Sequence, residues 1–374
     1  MYENLKGLDL DDLLRRIGTR LELSADQHGR AKGHYDAVGE WFQSPRSPFS
    51  RVATTIYPQG SLRILTTVRP KVHQEFDLDL VLEFAIDPRS IADPVILLNT
   101  VEAWLGANET YRKMMERKNR CVRLNYAGQF HMDILPAVPD PERGDHCVVV
   151  PDREAQHWKP SNPRGYAAWF DNRAQTFRLS KRVEEIEPLP TYQDNGNKEP
   201  LRRAVQLLKR WRDVYYARRP EVAARSIVLT TLAATHYSGE ARVVDAMGAI
   251  LTGILAAIPK QGRLVVLNPM NPEEDFSEKW NEPGHYEAFV SGIHDLYAAW
   301  AEICSARPGI ERVQNLLARM FDEELAKSVI AEQAEELRKA TTNGALRVVG
   351  GSGALTTSIV PRSSAIRRKN FYGE

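Results

Sequence analysis

Apolar residues in the first part of the chain recur with the period of an amphipathic helix. The spacing from Ala31 to Phe42, behind a capping pair formed by Ser24 and Gln27, predicts a helix over 25–43. The SPRSP segment that follows cannot continue a helix, because proline removes a backbone donor and fixes φ. The chain therefore begins with a helical element that ends before the first predicted strand.

Period-two alternation then predicts strands. The segment FDLDLVLEF (76–84) places Asp77 and Asp79 on one face of a strand and leucines on the other. The dipeptide Ala127-Gly128 separates two further strands and predicts a hairpin. The other elements predicted in this half are strands over 51–57, 122–126 and 130–135 and a helix over 95–118.

Helical periodicity dominates the second half of the chain. The predicted helices are 201–218, 226–238, 243–258, 283–304, 309–320 and 321–340. Residues 136–200 are rich in proline and predict one helix over 164–184, whereas 343–374 is rich in Gly, Ser and Arg and predicts a loose tail. We therefore expect a strand-rich lobe over 1–195 and a helical lobe over 196–342, followed by the tail.

Composition narrows the class of protein. The 374 residues are 43% hydrophobic and 26% charged, which is typical of a globular chain with a large core. Because 50 basic residues face 49 acidic ones, the net charge of +1 argues against a protein that binds long nucleic acid through bulk charge. The longest apolar run, 246–258, is shorter than the ~20 residues that a membrane span needs.

The cysteines and the N-terminus favour a cytoplasmic protein. Cys121, Cys147 and Cys304 are widely spaced, form no CxxC pair and match no zinc-ligand spacing with histidine. The N-terminal segment carries acidic residues and no clear apolar core of a signal peptide. We expect a mixed α/β protein of the cytoplasm, with neither a zinc site nor a membrane anchor.

The paired carboxylates of the 76–84 strand are the strongest candidates for chemistry. A lone carboxylate on a strand is usually solvent-exposed, but Asp77 and Asp79 share one face of a strand whose neighbours are apolar. Two like charges held about 7 Å apart on such a strand repel each other and lose hydration. A divalent cation is the simplest compensation, and oxygen ligands favour Mg²⁺ or Mn²⁺ over Zn²⁺.

A third carboxylate and a glycine-serine turn extend this pattern. Asp133 lies in a later strand, and the three aspartates suit two metals that assist transfer of a phosphoryl group. Gln59, Gly60 and Ser61 follow a predicted strand. A Gly-Ser pair after a strand is usually a plain turn. Glycine, however, lets the backbone approach a phosphate, and serine offers a hydroxyl and an N–H at a helix start.

These motifs carry a family resemblance. The segment QGSLRILTTVRP (59–70), then FDLDLVL, then the third aspartate resembles the DNA-polymerase-β-type nucleotidyltransferase superfamily. Within it the chain resembles the bacterial CD-NTases, the cyclic-oligonucleotide synthases of anti-phage CBASS systems. The resemblance implies an α+β fold, with a polymerase-β-like lobe around a small mixed or antiparallel sheet, a C-terminal helical lobe and a long N-terminal helix spanning both.

The resemblance also implies the reaction. Asp77, Asp79 and Asp133 would bind Mg²⁺ or Mn²⁺ at a two-metal site, and Gln59, Gly60 and Ser61 would contact nucleotide phosphate. The substrates would be NTPs, ATP or GTP among them. The product would be a cyclic di- or trinucleotide that serves as a second messenger, and no long nucleic acid would be required.

Two residues of the predicted helical lobe match phosphate-contacting positions of the family, namely Lys209 and Ser226. A triphosphate carries about four negative charges, so a lysine near it is physically reasonable. The alternatives stay open, because the basic helix 201–219 would equally suit a solvated face and Ser226 would equally suit a helix N-cap.

The end of the chain allows two interpretations. By composition it is a flexible basic segment, whereas the terminal FYG followed by Glu374 resembles CD-NTases that E1/E2-like enzymes conjugate through the C-terminus. Other functions are also open on this fold. They are addition of nucleotides to an RNA 3′ end or a protein side chain, and nucleotide sensing without catalysis.

Overall fold

The computed structural model describes residues 9–71, 75–174, 187–191, 198–305 and 309–343, together with the short segments 347–349, 355–356 and 363–365. The helices are α1 Leu10–Arg20, α2 Ala25–Gln43, α3 Gly60–Arg63, α4 Pro94–Gly106, α5 Glu109–Met114, α6 Pro163–Arg173, α7 Pro200–Tyr215, α8 Ser226–His236, α9 Val243–Ala257, α10 His285–Ile303, α11 Ile310–Phe321 and α12 Glu323–Thr342. The strands are β1 Thr54–Gln59, β2 Phe76–Phe84, β3 Met115–Arg117, β4 Val122–Tyr126, β5 Phe130–Pro139, β6 Val148–Asp152, β7 His157–Ser161, β8 Leu267–Asn268, β9 Asn271–Asp275, β10 Arg347–Val349, β11 Leu355–Thr356 and β12 Ser363–Ala365.

One mixed sheet organises the N-terminal half. Its strands run in the order β1-β2-β5-β4-β3, and β6 and β7 extend it from the far part of β5. β2 and β5 are parallel, whereas β1 pairs with β2 and β4 pairs with β5 in antiparallel fashion. This register sets Asp79 beside Asp133 on one side and beside Gln59 on the other.

Apolar alternation explains why these strands form a sheet with one buried face. The leucines of β2 pack with Met132 and Ile134 of β5 against α2 and α4, in one hydrophobic cluster. Because successive side chains point to opposite faces, the same alternation leaves Asp77 exposed and Asp79 half-buried on the other face. The predicted hairpin at Gly128 is confirmed, with φ of 72° at that residue.

A second hydrophobic cluster belongs to the helices. It joins α1, α6 and the helices from α7 to α12, with Trp211, Trp280, Phe289 and Phe321 among its largest buried side chains. The predicted helices of this half are confirmed within a few residues at their ends. Among the described residues, no helix is both long and apolar enough to cross a membrane.

The prediction of one long N-terminal helix that spans both lobes is wrong. The chain forms α1 and α2, separated by residues 21–24, and α1 packs with the helical cluster while α2 packs on the sheet. Ser24 and Gln27 form the predicted capping box, which starts a new helix here rather than continuing the first. Glu22, in the break, accepts a hydrogen bond from Arg203 of α7 at 2.6 Å.

Other boundaries also differ from the prediction. The segment 95–118 is divided into α4, α5 and β3, because Asn108 caps a new helix and Met115–Arg117 pairs with β4. β1 extends beyond Pro58, which an edge strand tolerates because it has no partner on one side. The expected loose tail contains β10, β11 and β12, paired with one another, and the expected end of the 164–184 helix lies outside the described residues.

A buried ion network fastens the helices to the sheet near the glycine-serine turn. Arg202 of α7 is fully buried and donates hydrogen bonds to Asp171 of α6 at 2.8 Å and to the carbonyl of Ile64. Arg63 of α3 binds the same aspartate at 3.0 Å. Because a buried charge needs its partners, this network fixes the position of the turn relative to α6 and α7.

Candidate active site

The glycine-serine turn lies directly against the second aspartate. Gly60 has a φ of 64°, in the left-handed region that favours glycine. A Cβ placed on Gly60 would overlap the carboxylate of Asp79. Both constraints favour glycine at this position. The group that the Gly60 backbone approaches is the carboxylate of Asp79, a candidate metal ligand, and the predicted contact with a phosphate stays a prediction.

Ser61 stands at the start of α3, as predicted. Its hydroxyl forms a hydrogen bond with the Thr67 hydroxyl at 3.2 Å, and its carbonyl accepts from the Thr66 N–H at 2.8 Å. The turn is therefore held by Thr66 and Thr67 of the segment QGSLRILTTVRP. Gln59, Gly60 and Ser61 all line the same cavity.

The three aspartates project from neighbouring strands β2 and β5. Burial raises the pKa of Asp79 to about 7, and repulsion from Asp77 and Asp133 adds to this effect. The ionised carboxylate is thus disfavoured where it stands, which marks a concentration of negative charge without full compensation. A divalent cation would supply the missing positive charge.

Arg123, which no sequence motif predicted, supplies part of the compensating positive charge in this structure. Its guanidinium donates two hydrogen bonds to the Asp133 carboxylate, at 2.7 and 2.8 Å, and lies 3.5 Å from Asp77. Within the described ranges no three acidic, histidine or cysteine side chains are arranged to share one cation. Asp133 faces Arg123 instead. The hairpin around Gly128 could have revealed this, since it pairs Arg123 with Asp133.

A histidine completes the polar edge of the site. His131 lies two residues before Asp133 on β5, and its Nε2 is 2.6 Å from the Glu75 carboxylate. Its Nδ1 lies 3.5 Å from Asp77. Glu75 and His131 both line the cavity, so they form part of the wall beside the aspartates.

One large cavity of about 1210 Å³ lies in front of Gly60, Asp77, Asp79 and His131, whereas Asp133 is not among its lining residues. It exceeds the volume of about 300–1,000 Å³ typical of a small-molecule site. Its walls come from the turn, from β2, from α6, α7 and α8, and from the β8–β9 hairpin. The residues that line the cavity include Gln59, Gly60, Ser61, Glu75, Asp77, Asp79, His131, Tyr166, Lys209, Arg212, Asp213, Ser226, Asn268, Glu274 and Phe276.

The structure places Lys209 in this wall, but its ammonium is already engaged. Lys209 is buried and donates hydrogen bonds to the Thr66 carbonyl at 3.1 Å and to the Thr66 hydroxyl at 3.0 Å. Burial, followed by repulsion from Arg212, lowers the pKa of Lys209 to about 7. Lys209 thus holds the loop that follows the glycine-serine turn, and the solvated-face alternative is wrong for it.

Ser226 also lines the cavity, and its N-cap alternative is wrong. Arg225 occupies the N-cap position of α8, and Ser226 is the first helical residue. The Ser226 hydroxyl accepts a hydrogen bond from Arg212, which also pairs with Asp213 at 2.6 Å. Helical periodicity alone did not predict the roles of the arginines in this helix, because it does not separate Arg212 at the cavity from Arg202 in the core.

A pH-dependent stability test follows from the burial of Lys209. We expect the free-energy difference between Lys209→Met and the wild type to shift against the variant as pH rises from 7.5 to 10. Folding lowers the lysine pKa from 10.5 to about 7, so in this interval the unfolded chain binds more protons than the folded one. Wild-type stability therefore gains with pH relative to Met, by up to about 1.4 kcal/mol per pH unit.

Urea unfolding at several pH values in this range measures the effect. Groups remote from Lys209 titrate equally in both proteins, so they cancel in the difference. Asp79 is coupled to the lysine charge, so the same comparison made in an Asp79→Asn background removes its contribution. A pH-independent difference would contradict the buried, neutralisable lysine.

Comparison with known proteins supports the class that the fold and site define. Residues 9–173 match the model of the Second Messenger Oligonucleotide or Dinucleotide Synthetase domain. The c-di-GMP synthase of Roseivirga ehrenbergii is 33% identical over 376 residues, which cover 98% of this chain and 97% of that protein. The cyclic dinucleotide synthase CdnG of Bradyrhizobium diazoefficiens is 28% identical over 298 residues, covering 73% and 70%.

Solved structures share the fold. The Bradyrhizobium diazoefficiens CD-NTase CdnG in complex with GTP has a TM-score of 0.68 at 23% identity, over 86% of this chain and 98% of that one. The GTP-bound form of Vibrio cholerae DncV has a TM-score of 0.54 at 18% identity, over 86% and 95%. The shared fold, with its polymerase-β-like lobe, confirms the predicted fold class. The two synthases that match in sequence show that the chain is a nucleotidyltransferase. The chain belongs to the CD-NTase family, and the resemblance stated from its motifs is confirmed.

Proposed function

We propose that this nucleotidyltransferase joins two NTPs, with GTP as the first substrate, into a cyclic dinucleotide second messenger. The observation that carries the proposal is the meeting of Asp77, Asp79 and the Gly60 turn at one cavity large enough for two nucleotides. The relative with 33% identity is named a c-di-GMP synthase, which supports guanine nucleotides as substrates. A cyclic trinucleotide is the alternative product.

The donor set fits divalent metal ions. Asp77, Asp79 and Asp133 would hold two Mg²⁺ or Mn²⁺ ions, since carboxylates are the ligands these cations prefer. When bound, the ions would stabilise the triphosphate charge and lower the pKa of the attacking hydroxyl. The raised pKa of Asp79 agrees with this assignment, because burial and then repulsion from Asp77 and Asp133 disfavour its ionised form, which a bound cation would favour. Asp133 would have to turn from Arg123 to join the site.

The other cavity residues would position the triphosphate. Gly60 lets the backbone approach a phosphate, and the Ser61 N–H and hydroxyl would donate hydrogen bonds to it. Lys209 and Ser226 keep their proposed phosphate contacts, with Arg212 as the cation that Ser226 orients. Lys209 would have to release Thr66 to reach a phosphate directly, so we assign its first role to holding the turn.

The proposed reaction needs no reactant other than the two NTPs. A ribose hydroxyl of one nucleotide attacks the α-phosphorus of the other, the bond to the β-phosphate oxygen breaks, and diphosphate leaves. The hydroxyl proton passes to a base at the site, for which Asp133 is our candidate. A second transfer in the opposite sense closes the ring and releases a second diphosphate.

Arg123 gives a test of the metal assignment that needs no turnover. Without metal, we expect Arg123→Met to reduce the free energy of unfolding by about 1–3 kcal/mol, because Asp133 loses both charged hydrogen bonds. With saturating Mg²⁺ the deficit should shrink, since the cation then neutralises the same carboxylates. Urea unfolding with and without Mg²⁺ measures both values.

The control for this prediction is Arg117→Met on the adjacent strand β3. Arg117 is exposed and pairs with Glu102 at 2.8 Å, away from the aspartates. Its substitution should cost less than about 1 kcal/mol, with or without Mg²⁺. An equal deficit for Arg123→Met in both conditions would contradict the metal assignment.

Incubation with the four labelled NTPs and Mg²⁺ or Mn²⁺, followed by phosphatase, tests the function directly. A resistant, low-mass product from GTP is expected. Labelled RNA or labelled protein would instead support the alternative acceptors, and binding without any product would support a nucleotide sensor.

The cellular role remains part of the proposal. Membership of the CD-NTase family supports anti-phage signalling in the cytoplasm, with an effector that binds the product. Conjugation by an E1/E2-like partner is still a prediction, because the FYG ending lies outside the described residues. We also keep the proposed division at 1–195, 196–342 and 343–374, with α1 assigned to the helical cluster.

A further inference from the structure

The β8–β9 hairpin presents a fixed carboxylate to the cavity that the proposed mechanism does not use. Glu274 is half-buried and accepts a hydrogen bond from the Asn268 side-chain N–H at 2.8 Å. The Asn268 carbonyl oxygen in turn accepts from the Met270 backbone N–H at 3.0 Å. Asn268 is itself buried, so it positions the Glu274 carboxylate in the wall.

Glu274 differs from Glu75 and Asp213, the other two acidic residues of the wall outside the aspartate site. Glu75 contacts His131, and Asp213 pairs with Arg212. Within the part of the chain that the structure describes, no basic side chain lies within ion-pair distance of Glu274. Its hydrogen-bond donor is the neutral amide of Asn268, and the charge of Arg120 acts on it only from a greater distance. Burial raises its pKa, which shows that these contacts do not offset its lost hydration. A ligand with N–H donors would offset it.

An aromatic surface adjoins this carboxylate. Phe276 follows two residues after Glu274 and meets the ring of Tyr166 edge to face, with ring centroids 5.7 Å apart. Both rings line the cavity. Flat nucleobases stack on such rings without regard to base identity, so discrimination between bases must come from polar groups beside them.

We propose that Glu274 selects guanine in one of the two nucleotide positions. Guanine presents two N–H donors, at N1 and at its 2-amino group, and one carboxylate can accept from both. Adenine presents a lone pair at N1, which the carboxylate repels, so ATP is disfavoured at this position. This inference rests on the proposed function, and it adds the residue that determines the base.

Glu274→Gln tests the selection, because glutamine can donate to adenine N1 and accept from its amino group. We expect the variant to lose about 10- to 100-fold in kcat/KM for GTP and to gain in its use of ATP relative to GTP. ITP lacks the 2-amino group, so the wild type should prefer GTP over ITP and the variant should lose most of that preference. The matched control is Glu273→Gln, on the same strand, since Glu273 is exposed and pairs with Arg143.

Equilibrium binding of non-hydrolysable GTP and ATP analogues separates this inference from the proposed function. Absence of any product from the wild type would count against the proposed function, while the binding preference would still report on Glu274. Unchanged GTP:ATP and GTP:ITP ratios in Glu274→Gln would overturn the inference. Equal losses with all three nucleotides would also overturn it, because that pattern fits a carboxylate that only holds the hairpin.

Discussion

Replacing Asp77 and Asp79 together by Asn should lower product formation from NTPs by at least about 1000-fold, because two of the three carboxylates proposed to hold the metals are lost. Asn keeps the size of each side chain and removes its charge. The β2 strand is held by its leucines and by its pairing with β1 and β5, so the sheet should form unchanged. Labelled product after phosphatase treatment measures the loss.

Stability separates this result from misfolding. Burial and mutual repulsion raise the pKa of Asp79 from 3.8 to about 7, so its ionisation lowers the stability of the fold as pH rises through this interval, and the full cost is present at pH 8. In metal-free buffer at pH 8 the double variant should therefore be at least as stable as the wild type. Asp87→Asn, at an exposed ion pair just after β2, is the control and should keep full activity. Activity above about a tenth of wild type in a folded double variant would contradict the metal assignment, because the loss of two metal ligands should reduce the reaction rate by far more.

Local patterns predicted the part of the site that depends on neighbours along the chain. Period-two alternation placed Asp77 and Asp79 on one face, and the strand–turn–helix order placed Gly60 and Ser61 at a helix start. These features follow from side-chain direction and backbone sterics, which act over a few residues. For the same reason Asp133 was located on a strand, although its parallel pairing with β2 follows only from the fold.

Contacts between distant parts of the chain determine the site features that could not be predicted from the sequence. Lys209, Arg212 and Arg202 share one basic helix, yet one contacts Thr66, one contacts Ser226 and one is buried against Asp171. Helical spacing cannot separate these roles, since the faces of α7 meet α1, α8, α9 and α11 at once. The Glu274 carboxylate is a similar case, because only the docking of its hairpin brings it to the cavity.

Gly60→Ala should reduce turnover by about 100-fold or more, because a 1 Å displacement of a reacting group can cost that much. The added Cβ overlaps the Asp79 carboxylate and lies 3.4 Å from the Asp79 Cβ, which the β2 backbone holds in place. A positive φ also strains alanine, at a cost of about 1–2 kcal/mol. Asp79 must therefore turn or the turn must shift, and either change separates the proposed metal ligands from the phosphate contact. Product formation under saturating GTP and Mg²⁺ measures the loss.

Gly128→Ala isolates strain from collision. Gly128 has a φ of 72°, close to the 64° of Gly60, but a Cβ there would meet nothing within 4 Å. Both variants should lose similar stability from the backbone term, and Gly60→Ala alone should lose most of its activity. Equal activity in the two variants would show that the closeness of Gly60 to Asp79 is unimportant for the reaction. In that case the turn would act only as a connection between β1 and α3, and the phosphate contact would have to come from Arg212 and Ser226.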